Sequence, residues 1–211
     1  MATFDAIVFD MDGTLLDSTP AVTSAYRQAV LAGGGPEWSD AGIVAAYPLG
    51  HPRIMLSHLL GRAAADDDVD RYHSFLSGYE TEIALYAGIR EALTELAAPG
   101  RLGVSTGASA VAAGLLLERT RLIGFFDVVV GGDEVRNQKP SPDGVLRACA
   151  SLGVPAARAA YVGDSPLDLE AARRSGATAV AAAWGHQYDP AAAADLTAAH
   201  PRDLLAFASW R

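Results

Sequence analysis

The sequence predicts an α/β protein in which a doubly wound parallel sheet carries a long helical insertion. Short apolar runs such as Ala6–Phe9 have the length of buried strands rather than of helices. From Gly88 onward, runs of this kind alternate with helical segments, which is the pattern of parallel β-α-β units. Residues 17–87 differ, because they contain helical segments and no convincing strand. We therefore expect a core domain formed by residues 1–16 and 88–211 and an all-helical domain over residues 17–87.

The insertion opens with a predicted helix. Ser18-Thr19-Pro20 has the composition of a helix start, with a capping hydroxyl and a proline in the first turn, and the helix is expected to run to about Leu31. Residues 33–36, three glycines and a proline, end it. Further helical pieces are broken by the Pro- and Gly-containing residues 47–52 and by Gly61.

After Gly88 the expected elements alternate to the end of the chain. The predicted strands are Leu102–Ser105, Val128–Val130, Ala160–Val162 and Thr178–Ala182. The predicted helices are Ile89–Ala98, Ser109–Thr120, Ser141–Leu152, Leu167–Ser175 and Pro201–Trp210. Together with Ala6–Phe9 these strands give a five-stranded sheet with helices between consecutive strands.

The composition is that of a globular protein with an excess of acidic residues. A net charge of −9 argues against nucleic acid or an anionic membrane as a partner. No window reaches the ~18 apolar residues of a membrane span, and the N-terminus has no signal-peptide pattern. The single cysteine, Cys149, excludes an internal disulfide, fits a reducing compartment and is expected to be a buried apolar residue. These features predict a cytoplasmic protein.

Lysine is almost missing from the sequence. Of the 16 basic residues, all but Lys139 are arginine. An ammonium is a compact charge on a flexible stem, and it can meet a phosphate and a carboxylate together better than a guanidinium can. Lys139 is therefore a candidate site residue.

Polar side chains follow the predicted strands where these end. They are Asp10 and Asp12, then Thr106, then Lys139 in the loop after the third strand, and then Asp164 and Asp168. Parallel strands bring their carboxyl ends to one edge of the sheet, where ligands bind. Two like charges about 4 Å apart repel by roughly 4 kcal/mol at an effective dielectric constant near 20. Four carboxylates at one edge therefore call for a divalent cation as well as the lysine.

Four segments resemble the four motifs of the haloacid dehalogenase (HAD) superfamily, in the same order. They are Asp10-Met11-Asp12-Gly13-Thr14, Ser105-Thr106-Gly107, Lys139-Pro140 and Gly163-Asp164-Ser165-Pro166-Leu167-Asp168. The resemblance extends over the whole chain, and it is greatest to the phosphoglycolate phosphatase and β-phosphoglucomutase branch. It implies a Rossmann-like core with an inserted helical cap over residues 17–87.

The resemblance also implies a mechanism. Asp10 would attack phosphorus and form an aspartyl phosphate, and Asp12 would protonate the leaving oxygen and then take a proton from water. Mg²⁺ would be held by the carboxylates of Asp10 and Asp164 and by the backbone carbonyl of Asp12. Asp168 would orient the metal shell or the lysine.

The remaining motif residues would bind the phosphoryl group. The hydroxyl of Thr106 and the amide of Gly107 would contact one of its oxygens, and Lys139 would offset the growing charge. The predicted activity is thus that of a Mg²⁺-dependent phosphatase acting on a small phosphorylated metabolite. The identity of that metabolite and the oligomeric state are not determined by the sequence.

Other activities on this fold can be compared residue by residue. Dehalogenating members lack the second aspartate, so Asp12 favours phosphoryl transfer, and phosphonate-cleaving members use a cap lysine, which this cap lacks. Sugar phosphomutases of the branch usually carry a cap histidine at the position of Val22, so this sequence favours hydrolysis over the mutase alternative. A binding module without catalysis is the alternative from another functional class.

Two groups of cap residues remain to be assigned. His51 and Arg53 lie in the Pro- and Gly-containing loop, where an arginine could bind the far end of an anionic substrate or could simply be solvated. The acidic run Asp66–Asp68 invites a metal site, but acidic residues at a helix start complement the helix dipole, and this is the interpretation we expect to hold.

Overall fold

The computed structural model of the protein describes residues 3–81, 83–207 and 209–210. Its strands are β1 (Thr3–Phe4), β2 (Ala6–Phe9), β3 (Leu16–Asp17), β4 (Ala84–Leu85), β5 (Arg101–Ser105), β6 (Val128–Val130), β7 (Ala159–Gly163), β8 (Thr178–Ala182), β9 (Leu196–Ala198) and β10 (Ser209–Trp210). Its α-helices are α1 (Thr19–Ala32), α2 (Asp40–Ala45), α3 (Pro52–Leu60), α4 (Asp66–Ser77), α5 (Ile89–Ala97), α6 (Ala110–Arg119), α7 (Asp143–Leu152), α8 (Pro166–Ser175) and α9 (Leu204–Phe207).

The centre of the fold is a parallel sheet with the strand order β6-β5-β2-β7-β8-β9. Strand β2 lies between β5 and β7, with Phe9 opposite Val104 on one side and Val162 on the other. The five strands expected from the apolar runs are present in this sheet. Strand β9 was not expected, because Leu196–Ala198 is too short to give a periodic apolar pattern.

Both faces of the sheet are covered, as the apolar runs require. Ile7 and Phe9 belong to the core cluster that packs against α1, α5 and α6, whereas Ala6 and Val8 belong to the cluster that packs against α7 and α8. Successive residues of a strand point to opposite faces, so a run buried on both faces must be apolar throughout. The predicted α/β fold, a doubly wound parallel sheet, is confirmed.

Helices α1 to α4 form the insertion, and a short antiparallel ribbon stands at its base. In this ribbon β3 pairs with β4, and Leu16 lies opposite Leu85. The expectation of an insertion without strands is therefore wrong at its two ends, where two-residue strands are too short to leave a sequence pattern. Helix α1 packs on α4, and the rings of Tyr26 and Tyr72 stack with their centroids 4.2 Å apart.

The C-terminal segment also differs from the expectation of one helix over Pro201–Trp210. A 3₁₀ turn covers Pro201–Asp203, α9 ends at Phe207, and Ser209–Trp210 pairs with β1 in parallel. Residues 209–210 therefore form strand pairing where a helix was predicted. In the described part of the chain, none of the helices has the length and apolar character needed to cross a lipid bilayer.

Candidate active site

The predicted site residues at the ends of β2, β5 and β7 lie together. Backbone hydrogen bonds between neighbouring strands continue past the strand ends to Asp10 and Thr106. The backbone N–H of Asp10 donates to the carbonyl of Val162 at 2.8 Å, and that of Thr106 donates to the carbonyl of Val130 at 3.0 Å. Asp10, Thr106 and Asp164 are all buried. The carboxyl edge of the sheet therefore positions these three side chains in one cavity.

Lys139 connects two of the predicted carboxylates. Its Nζ lies 2.5 Å from Oδ1 of Asp10 and 2.6 Å from Oδ1 of Asp168. The ammonium also lies over the ring of Tyr161, 5.4 Å from the centroid. Burial alone would lower the pKa of Lys139, but attraction to Asp10 and then to Asp168 outweighs burial and raises it well above its usual value. Lys139 is therefore a fixed positive charge.

Asp168 is held in place by the start of α8. Its Oδ2 accepts hydrogen bonds from the N–H of Ser165 at 3.0 Å and from the Ser165 hydroxyl at 2.6 Å, while that hydroxyl accepts from the N–H of Asp168 at 3.2 Å. This reciprocal pattern is a capping box. Since one oxygen is used by the cap, the other faces Lys139.

Asp164 sits between two glycines. A Cβ at Gly13, whose φ is +88°, would come within 2.4 Å of Oδ2 of Asp164, and a Cβ at Gly185 would come within 2.2 Å of its Cβ. The N–H of Gln187 donates to Oδ2 at 2.9 Å, whereas Oδ1 is buried without a hydrogen-bond partner. Burial raises the pKa of Asp164 to about 6. When this carboxylate is ionised, its buried Oδ1 has no hydrogen-bond partner and therefore requires a cation beside it.

The donor set is one that a hard divalent cation prefers. Asp10, Asp164 and Asp168 each place a carboxylate oxygen within 4.8 Å of the others. Burial, opposed in part by Lys139, raises the pKa of Asp10 well above its usual value. The unpartnered oxygen of Asp164 and the all-oxygen donor set both fit Mg²⁺. Both oxygens of Asp168 are already hydrogen-bonded, whereas Asp10 and Asp164 each use one oxygen, for Lys139 and Gln187, and have their second oxygen available.

Asp12 is not part of this cluster of three carboxylates. It borders the same cavity, but its Oδ1 accepts a hydrogen bond from the hydroxyl of Ser18. Ser18 occupies the position before α1 without capping the helix, so its predicted role as a cap is wrong. Enclosure raises the pKa of Asp12, and the Ser18 hydrogen bond opposes this effect. Asp12 is thus disposed to hold a proton at a higher pH than an exposed aspartate.

The cavity has a volume of about 140 Å³ and lies between the sheet edge and the insertion. From the core it is bordered by Asp10, Asp12, Thr106, Gly107, Ala108, Gln138, Lys139, Asp164, Ser165, Leu167, Asp168 and Gln187. From the insertion it is bordered by Ser18, Val22, Tyr26, Tyr47, Pro48, Gly50, Met55 and Tyr72. The motif residues to which the sequence assigned a role in the site all border this one cavity: Asp10, Asp12, Thr106, Gly107, Lys139, Asp164 and Asp168.

His51 and Arg53, the cap residues predicted to bind substrate, do not border the cavity. The guanidinium of Arg53 is 2.5 Å from Oδ1 of Asp66 and 3.1 Å from the carbonyl of Ala64, so it is used inside the cap. His51 precedes α3, and burial lowers its pKa. Neither residue therefore lies where the motif residues meet, and their predicted substrate contact stays a prediction.

The acidic run Asp66–Asp68 forms the first turn of α4, as expected. Asp68 is buried and is 2.6 Å from Arg62 and 2.7 Å from Arg71. Its Oδ2 also accepts from the N–H of Ala65 at 2.9 Å, and these partners lower its pKa. The run therefore forms an ion-paired helix start.

Several residues of the site had no sequence signal. Gln187 holds Asp164 through its backbone, and Tyr161 donates to the carbonyl of Ser105 at 2.8 Å and to Asp168 at 3.3 Å. Gln138 donates to the carbonyl of Gly132 at 2.7 Å. The Ser165–Asp168 pair is the exception, because a serine followed three positions later by an acidic residue is a recognisable capping pattern.

Comparison with known proteins supports the interpretation of the site. A family model described as haloacid dehalogenase-like hydrolase matches residues 4–176. The phosphoglycolate phosphatase of Shigella boydii serotype 4 is 29% identical over an alignment of 212 positions that covers 88% of this chain and 83% of that protein.

Solved structures show the same architecture. CbbY from Rhodobacter sphaeroides in complex with phosphate has a TM-score of 0.83 at 26% identity, covering 96% of each chain. A CbbY mutant in complex with xylulose-(1,5)bisphosphate has a TM-score of 0.82, again at 26% identity and over 96% of each chain. The family model spans most of this chain, and the fold and motif order agree with it. The chain therefore belongs to the haloacid dehalogenase-like hydrolases.

Proposed function

We propose that the protein is a Mg²⁺-dependent phosphatase that hydrolyses a small phosphomonoester in the cytoplasm. The observation that carries this proposal is the contact of Lys139 with both Asp10 and Asp168, beside the unpartnered oxygen of Asp164. The phosphatase class also agrees with the relatives described above. The net charge of −9 supports a small metabolite rather than nucleic acid or a membrane surface as the partner.

The residues of the site fit a magnesium ion. The carboxylates of Asp10 and Asp164 and the backbone carbonyl of Asp12 would hold it. When bound, Mg²⁺ supplies positive charge next to the phosphoryl oxygens. Asp168 would act indirectly, by fixing the ammonium of Lys139 against Asp10.

The chemistry would proceed in two displacements at phosphorus. A carboxylate oxygen of Asp10 attacks, the P–O bond to the leaving group breaks, and Asp12 gives that oxygen its proton. Asp12, now ionised, takes a proton from water as the water oxygen attacks the aspartyl phosphate. The bond between phosphorus and the Asp10 oxygen breaks as the water oxygen bonds to phosphorus, inorganic phosphate leaves, Asp10 is again a carboxylate and Asp12 is again protonated.

Neighbouring groups would stabilise the charge on the transferring group. Thr106 and Gly107 border the cavity next to Asp10, and no atom lies within 4 Å of a Cβ built on Gly107, which leaves room for a phosphoryl oxygen at its backbone. Lys139 would provide a permanent positive charge beside Asp10. Residues 17–87 would act as the cap that keeps bulk water from the aspartyl phosphate.

The mutase alternative is disfavoured by Val22. This residue borders the cavity from α1, so an apolar side chain stands on the cavity wall where the mutases of the branch place a histidine. Valine has no group to move a proton to or from a sugar hydroxyl. A non-catalytic binding module is disfavoured because the carboxylates and lysine required for turnover share one cavity.

Phosphate release from a generic aryl phosphate tests the proposal. The wild-type protein with Mg²⁺ should release phosphate, and release should stop on adding a chelator. Asp10→Asn should be inactive while keeping the circular dichroism spectrum of the wild type. Isomerisation of a sugar phosphate with little phosphate release would instead establish the mutase, and no turnover of either kind would establish a binding module.

A further inference from the structure

The wall that the insertion contributes to the cavity is uncharged. It consists of Ser18, Val22, Tyr26, Tyr47, Pro48, Gly50, Met55 and Tyr72. Among the described residues of the insertion, no arginine or histidine borders the cavity. The part of a substrate that extends beyond the phosphoryl group therefore meets phenol, thioether and aliphatic surface.

Three arginines of the insertion are engaged with its own carboxylates. Arg53 is paired with Asp66, and both Arg62 and Arg71 are paired with Asp68. His73 bonds to the hydroxyl of Ser109 at 2.8 Å, at the start of α6, and burial lowers its pKa, which favours the neutral ring. None of these four side chains borders the cavity.

The charge balance of the cavity determines which substrates can bind against the uncharged wall. Four carboxylates border the cavity, those of Asp10, Asp12, Asp164 and Asp168, against the single ammonium of Lys139. A divalent cation and a phosphoryl dianion cancel each other in charge, so they leave this negative balance unchanged. A second anionic group on the substrate would be desolvated next to these carboxylates without a cation of its own.

Tyr47 offers a neutral contact instead. Its hydroxyl is buried and has no hydrogen-bond partner, although the residue borders the cavity. The rings of Tyr26 and Tyr72 pack against each other on the same wall. A buried hydroxyl without a partner is uncommon and costly, and a ligand hydroxyl that pairs with it removes the cost.

We infer that the substrate preferred by this site is a hydroxyalkyl phosphomonoester, whose uncharged leaving group ends in a hydroxyl that bonds to Tyr47. This inference rests on the proposed phosphatase function and narrows it. It separates the chain from relatives whose named ligands carry a second anionic group, a carboxylate in phosphoglycolate or a second phosphate in xylulose-(1,5)bisphosphate.

Matched pairs of esters test the inference in the presence of Mg²⁺. We compare 2-hydroxyethyl phosphate with phosphoglycolate, and glycerol 3-phosphate with 3-phosphoglycerate, because the members of each pair differ at the hydroxyl or carboxylate end. We expect kcat/KM to favour the hydroxyl ester by at least about tenfold in each pair. Equal values, or a preference for the carboxylate, would overturn the inference.

The role of Tyr47 is tested by Tyr47→Phe. The variant keeps the ring and loses the hydroxyl, so the preference for the hydroxyl ester should fall by about tenfold. Tyr79→Phe is the matched control, since Tyr79 is a cap tyrosine that does not border the cavity, and its preference should equal that of the wild type. An unchanged preference in Tyr47→Phe would overturn the inferred bond between the substrate hydroxyl and Tyr47.

Binding separates this inference from the proposed function. With Asp10→Asn and Mg²⁺, calorimetric titration should give tighter binding of 2-hydroxyethyl phosphate than of phosphoglycolate, again by about tenfold. Absence of turnover in the wild type would reject the phosphatase while leaving this ranking measurable. Equal affinities in the titration would overturn the substrate inference even if the wild type were a phosphatase.

Discussion

Lys139 Nζ lies 2.5 Å from Oδ1 of Asp10, although the two residues are 129 positions apart in the chain. The same ammonium is 2.6 Å from Asp168, so one cation is shared by two buried carboxylates. This geometry needs a small charge that fits between two oxygens. A planar guanidinium is larger and donates in a fixed fork.

Replacing Lys139 by arginine should therefore reduce activity although the charge is kept. We expect kcat for phosphate release to fall at least about 100-fold in Lys139→Arg, because the larger group displaces Asp10 or Asp168. Arg147→Lys is the matched control, since Arg147 is exposed and pairs with Glu134, and neither residue borders the cavity. A fully active Lys139→Arg enzyme would contradict the argument from the lone lysine.

Asp164 packs between two glycines, so adding a methyl group at one of them should disturb the carboxylate that would bind Mg²⁺. In Gly185→Ala the new Cβ would overlap the side chain of Asp164, so Mg²⁺ affinity should fall at least about tenfold. Titration of Mg²⁺ against activity or heat release measures this. Gly114→Ala is the control, because a Cβ there meets nothing within 4 Å and Gly114 lies within α6. Its affinity should be unchanged.

Ser165 both caps α8 and bonds to the side chain of Asp168, so Ser165→Ala should lose stability and activity separately. The variant removes a helix cap, which should cost about 1 kcal/mol of stability. It also removes the hydroxyl that fixes Asp168, so kcat should fall. Ser39→Ala removes the comparable cap of α2, and should show the stability loss without the activity loss. Equal activity in the two variants would show that the Ser165 hydroxyl has no part in positioning Asp168.

Asp68 should control the acid stability of the cap. Hydrogen bonds from Arg62, followed by the backbone of Ala65 and by Arg71, lower the pKa of Asp68 in the folded protein. A carboxyl whose pKa is lower when folded stabilises the fold above its unfolded pKa, about 4, and this contribution is lost as the pH falls through the folded value.

Denaturant unfolding of Asp68→Asn tests this at several pH values. At neutral pH the free energy of unfolding should drop by about 1–3 kcal/mol, since charged hydrogen bonds are lost. The difference from the wild type should shrink as the pH is lowered below about 4. Asp67→Asn, at an exposed position in the same helix turn, should show little difference at any pH. A pH-independent difference for Asp68→Asn would contradict the assigned ion pairs.

Cys149 should be chemically inert in the folded protein. It is buried in the cluster between α7 and the sheet, and burial raises its pKa to about 11. The thiolate is the reactive form, so a disulfide-exchange reagent at pH 8 should not label the native protein within minutes. Labelling should become rapid in denaturant. Rapid labelling of the native protein would show that α7 opens readily.

The sequence was sufficient to predict the catalytic edge of the sheet because the relevant signals are local. Each apolar run marks a strand, and Asp10, Thr106 and Asp164 follow directly where the strands end. Parallel topology then brings residues from distant positions together. Lys139 was predicted for a different reason, as the single lysine in an arginine-rich chain.

The parts that the sequence did not reveal depend on long-range choices between partners. Arg53 could have faced a substrate or a carboxylate of the cap, and only the three-dimensional structure places Asp66 against it. Ser18 could have capped α1, but it binds Asp12 instead. Gln187 acts through its backbone, and a backbone contact leaves no trace in side-chain identity.

The ribbon of β3 and β4 places the two ends of the insertion side by side, with Leu16 opposite Leu85. Both crossings between the insertion and the parallel sheet therefore lie at one point of the fold. Replacing the segment between β3 and β4 should leave the register of the parallel sheet unchanged, but it would also replace Ser18, the hydrogen-bond partner of Asp12. Exchange of this segment between relatives should thus change the cavity wall while it keeps the strand ends that carry Asp10, Thr106 and Asp164.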